Sequence, residues 1–240
     1  MTLLSTRGLT KHYAGLTAVS NVDFNLPQGQ IRAIIGPNGA GKSTFVGMLS
    51  GKIASTSGTV TFNSKEVSDL PAHRRIALGM AYTFQITSIF TNLSVQENVA
   101  LAARRISNST DAISVDQRVA DALGRVNLSE RIEHIAGDLS YGHQRLLEIA
   151  MGLAQAPSLF ILDEPTQGLS AKEIESFIGL MKSMAGDTTI LLIEHNMDVV
   201  MATADVITVL NFGEVLAEGT PQEIRANNEV QAAYLGTANA

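Results

Sequence analysis

The chain has 240 residues, 45% of them hydrophobic and 17% charged, with a formal charge of −6. That composition is globular rather than disordered, and its acidity disfavours a whole-surface grip on nucleic acid or anionic lipid. Cysteine is absent, which excludes a disulfide framework, a thiol nucleophile and a Cys-based zinc site; tryptophan is absent too, so stacking platforms for single-stranded nucleic acid are not expected.

Residues 1–11 carry no apolar stretch followed by a cleavage site, so no secretory signal is read there. No aliphatic run approaches the ~20 residues of a spanning helix. The expectation is a soluble, cytosolic α/β protein. Residues 19–26 alternate apolar and polar, the pattern of a half-buried strand, and a turn at 27–29 ends it. Residues 31–35 form an apolar run typical of a strand buried on both faces. A glycine-rich turn leads into a helix over 42–49, which Gly51 stops, and 58–63 reads as another strand.

Helical spacing then takes over. Val95, Val99, Ala102 and Ala103 share one face over 94–105, and Val115, Val119, Ala122 and Leu123 another over 114–126. Ser94 with Glu97 fits a capping box. A third helix is expected near 143–156, closed by Pro157. Strand–helix alternation returns with strands at 159–162, 188–193 and 206–210, an amphipathic helix over 171–184 and a short one over 198–202. The pattern implies a mostly parallel sheet flanked by helices, an N-terminal antiparallel layer and an inserted helical lobe.

The strongest chemical signal is Gly36, Pro37, Asn38, Gly39, Ala40, Gly41, Lys42, Ser43 and Thr44. They fit G-x-x-x-x-G-K-[ST] between a buried strand and a helix. Glycines let successive N–H groups turn inward, the helix N-terminus adds partial positive charge, Lys42 reaches the β- and γ-phosphates and the Ser43 hydroxyl ligates Mg²⁺. A chance match is on the order of one in a hundred. Asp163 and Glu164 end an apolar strand, where ligands of a parallel sheet gather. There Asp163 would hold Mg²⁺ through water and Glu164 would polarise the attacking water. Alone, that pair would be read as a solvated turn; the phosphate loop changes the balance.

With these motifs in place the chain resembles the ATP-binding subunit of ABC transporters. Residues 36–44 look like its Walker A, 159–164 like its Walker B with the catalytic glutamate, and Leu139, Ser140, Tyr141, Gly142, His143 and Gln144 like its L-S-G-G-Q signature. Gln85 looks like the Q-loop glutamine, a second Mg²⁺ contact, His195 like the switch histidine, and Tyr13 falls where an aromatic residue stacks on adenine. Taken alone, Gln85 reads as a surface residue, Tyr13 as packing on the β layer, and His195 as a helix start capped by Asn196. Two departures stand out: in the signature, Tyr141 where the family usually has Gly and His143 before Gln144, and in the D-loop, Ser170 where Asp is common.

The resemblance implies a P-loop NTPase of the ABC ATPase type, one ATP-binding domain over 1–240. Within it, 1–85 and 158–240 form the nucleotide-binding core and 86–157 the helical signature subdomain. ATP and Mg²⁺ are the implied cofactors, with Lys42, Glu164 and His195 catalytic. It further implies a dimer, with itself or a paralogous ATPase, that sandwiches each ATP between one copy's Walker A and the other's signature. Transmembrane permease subunits would receive residues 86–90, a periplasmic or extracellular binding protein would act indirectly, and the chain would sit on the inner face of the cell membrane. The stretches 75–85, 144–150, 193–201 and 233–236 are most similar to ATPases of branched-chain amino acid importers. Urea or lipopolysaccharide transport, a soluble ABC ATPase and a small-molecule kinase using the same loop remain the alternatives.

Overall fold

The computed structural model describes residues 1–83, 88–106 and 113–235. In chain order the first elements are β1 (Thr2–Tyr13), β2 (Leu16–Pro27), β3 (Ile31–Ile35), α1 (Lys42–Ser50), β4 (Ser57–Phe62), β5 (Lys65–Glu66) and α2 (Ala72–Ala77). They are followed by β6 (Met80–Tyr82), α3 (Val95–Arg104), α4 (Val115–Arg125), α5 (Tyr141–Leu153), β7 (Leu159–Asp163) and α6 (Ala171–Met184). The last are β8 (Thr189–Ile193), α7 (Met197–Thr203), β9 (Val206–Asn211), β10 (Glu214–Gly219), α8 (Pro221–Ala226) and α9 (Asn228–Leu235). They fall into two compact units, one of residues 1–78 with the described residues from 185 on, the other of residues 79–184.

The first unit holds two sheets. Strands β2, β1, β4 and β5 form an antiparallel layer in that order. Its β1–β2 ladder shifts register several times, which blurs the two-residue alternation and explains why β1 is not legible as a strand. In the second sheet β3 lies between β8 and β9 with parallel pairing, Ile34 opposite both Ile193 and Thr208, and β10 adds an antiparallel edge. Every residue of β3 and β8 is buried, the signature of strands covered on both faces. Ala33 and Ile35 of β3 pack with Val200, Ile207, Val209, Ile224 and Val230, and Tyr234 of α9 closes this cluster.

The second unit packs α3 against α4 and α5 and pairs β6 with β7 in parallel, Ala81 opposite Phe160. Ser94 and Glu97 form the expected capping box at the start of α3, and α6 spans the expected residues 171–184. One boundary is corrected. α5 begins at Tyr141 with Ser140 as its cap, not near 143, because the Ser140 hydroxyl accepts from the His143 amide and so starts the helix two residues earlier.

Candidate functional site

The phosphate loop bridges β3 and α1 in the first unit. Gly36 has φ 153° and Gly41 φ 95°. A β-carbon at Gly36 would lie 2.1 Å from the Leu210 carbonyl oxygen, and one at Gly41 2.4 Å from that of Ala18. Both positions therefore admit only glycine. The Gly213 amide, in the β9–β10 turn, donates to the Ala40 carbonyl at 3.0 Å, and Lys42 Nζ donates to the carbonyls of Gly36 at 2.7 Å and Pro37 at 3.0 Å. The Gly36 backbone also faces the Tyr234 hydroxyl and works against burial, which raises that hydroxyl to about 12.

The entry to α1 lacks a side-chain cap, as does that of the short α2 behind Pro71, and differs from five other helix starts. Ser94, Ser114, Ser140, Asn196 and Thr220 cap their helices with side chains. At α1 the cap is Gly41, with no side-chain hydrogen bond and no acidic residue in the first turn. Its leading amides are thus directed at the loop with their partial positive charge unopposed, the arrangement that receives phosphate. Because β3 and β8 run parallel in register, the loop and His195 both leave the carboxyl ends of neighbouring strands. Buried Glu194 accepts from the amides of His195 at 2.9 Å and Asn196 at 3.1 Å, and Asn196 caps α7. This pins the turn and leaves His195 exposed. Tyr13 ends β1, 44% exposed, with Lys11 Nζ 5.0 Å from its ring centroid.

In the second unit β7 delivers Asp163, buried, and Glu164, half-buried. Glu164 stands at φ 47°, a strained conformation for a residue with a side chain. Tyr82 Oη donates to Asp163 Oδ2 at 2.5 Å. Burial, with this bond behind it, pushes the Tyr82 hydroxyl far above its ordinary value. The Arg145 guanidinium donates to the carbonyls of Asp163 at 2.6 Å, Glu164 at 3.1 Å and Pro165 at 3.4 Å, and to Glu148 Oε2 at 2.6 Å.

Around the start of α5, Ser140 Oγ also meets His143 Nδ1 at 2.9 Å, and Gln144 Nε2 donates to the Leu139 carbonyl at 3.1 Å. The Tyr141 ring lies against Gly168, where an added β-carbon would be 2.9 Å from its Cε1. Gly142 faces Glu173, whose Oε1 would be 1.9 Å from such an atom. Ser170 donates to Glu173 Oε2 from its amide at 2.8 Å and its hydroxyl at 2.7 Å. These bonds hold the Glu173 carboxyl below the usual carboxylate range. Both departures from the family pattern thus have structural partners: Tyr141 covers the 168 backbone, and Ser170 closes the first turn of α6. Farther on, Asn98, fully buried, accepts from the Phe90 amide at 2.8 Å and donates to its carbonyl at 3.0 Å, while the Phe90 ring is 54% exposed.

Gln85, and residues 86 and 87 of the expected apolar patch 86–90, lie outside the described residues. No cluster of three or more His, Cys, Asp or Glu side chains suited to a metal occurs among the described residues. Ser43 in the first unit and Asp163 in the second each carry a hard oxygen donor, the ligand type that Mg²⁺ takes. Tyr82, Arg145, Glu194 and Tyr234 escaped sequence reasoning. Only Arg145 and Glu148, three apart on a helix, left a local trace.

Comparison with known proteins accords with this geometry. A family model described as ABC transporter matches residues 19–167, and one described as branched-chain amino acid ATP-binding cassette transporter matches 214–240. The chain is 38% identical to BraF of Pseudomonas aeruginosa over 98% of both chains. It is also 38% identical to LivG of Escherichia coli, again over 98% of each. Both are named high-affinity branched-chain amino acid transport ATP-binding proteins. Among solved structures, the ADP conformation of MJ1267, an ATP-binding cassette of an ABC transporter, superposes with TM-score 0.87 at 26% identity, covering 98% of this chain and 99% of that one. A dimeric post-hydrolysis state of the cassette MJ0796 bound to ADP and Pi gives 0.81 at 26% identity, covering 91% and 99%.

Proposed function

This chain belongs to the ABC transporter family of ATP-binding proteins, and on that premise we propose that it hydrolyses ATP at residues 36–44 to drive import of branched-chain amino acids through a separate permease. The observation that carries the catalytic reading is the uncapped start of α1 behind the glycine loop and Lys42. The substrate class is supported by the near-full-length similarity to BraF and LivG and by the match over 214–240.

In this reading the amides at the start of α1 and Lys42 bind the β- and γ-phosphates, and Tyr13 stacks on the base. Ser43, Gln85 and Asp163 are the oxygen donors for Mg²⁺, whose charge offsets that of the phosphates. Glu164 orients and activates water, and His195 steadies the γ-phosphate, so that catalysis is positioning plus electrostatics. Ser140, Tyr141, Gly142, His143 and Gln144 serve the ATP of the partner copy, with α5 as a second helix N-terminus. The ATPase works as a dimer with permease subunits, at the inner face of the cell membrane. No helix among the described residues is long and apolar enough to cross a membrane; the spanning segments belong to the permease. The exposed Phe90 ring, gripped from behind by Asn98, is the docking point for it.

The test is uptake of radiolabelled leucine, isoleucine and valine by cells lacking this chain and by cells carrying wild type or Glu164→Gln. Uptake restored by wild type alone is expected. Equal uptake of all three in every strain overturns the substrate class.

A further inference from the structure

We propose that Arg145 is a positioning residue for ATP hydrolysis, holding the backbone of residues 163–165 so that Glu164 keeps its left-handed conformation, and tying that turn to the helix that begins at the signature segment. The inference rests on the reading of Glu164 as the residue that orients water.

One guanidinium, 1% exposed, serves three consecutive carbonyls and one carboxylate. Consecutive carbonyls converge on a single point only where the chain turns sharply, and that turn is centred on Glu164 at φ 47°. The conformation is unfavourable for a residue with a side chain. The proline that follows biases Glu164 further toward extended backbone. Something must hold it, and the planar fork of arginine is the group whose donors match several acceptors at fixed angles; a lysine ammonium is a point charge that cannot.

A purely structural role explains the arrangement poorly. Arg145 and Glu148 are both buried, and a buried ion pair is often replaceable by apolar side chains without loss of stability. What an apolar pair cannot reproduce is the grip on the carbonyls. Arg145 lies in the second turn of α5, whose first residue is Tyr141. A displacement of α5 therefore reaches the Glu164 backbone through one rigid group rather than through soft packing.

The experiment measures steady-state ATPase and melting temperature for the full chain with Arg145→Lys. It adds the paired change Arg145→Met with Glu148→Leu, which removes both buried charges at similar volume and keeps the variant foldable. Ile149→Ala, a cavity on the same helix, is the control for lost stability. Both Arg145 variants are expected to lose about ten- to a hundredfold in kcat, the scale of a misplaced catalytic group, with KM for ATP within about twofold of wild type. Ile149→Ala is expected to melt lower and to keep kcat while folded. Wild-type kcat in either Arg145 variant, or an equal kcat loss in Ile149→Ala at the same fraction folded, overturns the proposal. Glu164→Gln is run alongside: if it turns over normally, the reading of Glu164 itself fails, whereas an inactive Glu164→Gln beside an active Arg145→Lys sinks only the role of Arg145.

Discussion

Tyr82 donates its hydroxyl to Oδ2 of Asp163 at 2.5 Å, across 81 residues of sequence. The bond fixes the carboxylate plane of a buried side chain proposed to face Mg²⁺. Tyr82→Phe keeps the ring and leaves Asp163 short of a donor, at a cost of about 1–3 kcal/mol. The expected outcome is a lower melting temperature and a higher Mg²⁺ concentration for half-maximal ATPase. An unchanged Mg²⁺ titration would show that the hydroxyl does not orient the metal-binding carboxylate.

The tyrosines also set an alkaline limit. Burial raises the Tyr82 hydroxyl, with help from Asp163, and raises that of Tyr234 to about 12 against the bonding of Gly36. With folded values above the unfolded value of 10.0, the folded state holds more protons in this window. Their contribution is therefore complete below pH 10.0 and is lost as pH climbs toward the folded values. Urea midpoints should fall more steeply with pH above that point in wild type than in Tyr82→Phe with Tyr234→Phe. Equal slopes would contradict it.

The phosphate loop gives a steric prediction. Gly36→Ala places a methyl 2.1 Å from a backbone carbonyl, which no side-chain rotation can relieve. The loop must move, at a cost of roughly 1–3 kcal/mol, and affinity for ATP and ADP should fall together. Calorimetric titration with each nucleotide checks this; unchanged affinity for both would refute the assigned contact.

Binding and turnover should separate by residue. Removing a general base typically costs ~10²–10⁴ in rate, so Glu164→Gln is expected to bind ATP, accumulate as a dimer and turn over slowly. Lys42→Ala is expected to lose ATP affinity instead. Size-exclusion chromatography with ATP, beside a binding titration, distinguishes the two, and a Lys42→Ala protein with wild-type affinity would remove the basis of the phosphate-loop reading.

Phe90→Asp changes an exposed ring whose backbone Asn98 holds at both its amide and its carbonyl. ATPase of the isolated chain should be unaffected, while co-purification with the permease should be lost. Asn98→Ala should weaken the same interaction through the backbone and lower the melting temperature as well. Undiminished co-purification in both would move the docking point elsewhere.

Legibility in the sequence followed distance along the chain. Residues 36–44, the Ser94–Glu97 box and helix 171–184 are local patterns, readable because their chemistry and their hydrogen bonds lie within a few residues. Thr220 and Glu223 form an equally local capping box, a signal for α8 that the sequence also carries. Tyr82 with Asp163, and Arg145 with residues 163–165, meet only after the chain has folded, and no periodicity announces them. Helix α5 starts two residues before the expected 143 because Ser140, which reads equally well as a phosphate contact and as a cap, is the cap.

The approach of Tyr234 to the Gly36 backbone carries a practical consequence for anyone preparing this protein. Trimming the chain back to residue 233 would take away a post that props the opening residue of the nucleotide loop, together with a side chain that closes the cluster around Val230. A shortened version that purifies well can therefore still be a poor nucleotide binder. The right check on any C-terminal deletion or fusion is a nucleotide titration, not a melting curve.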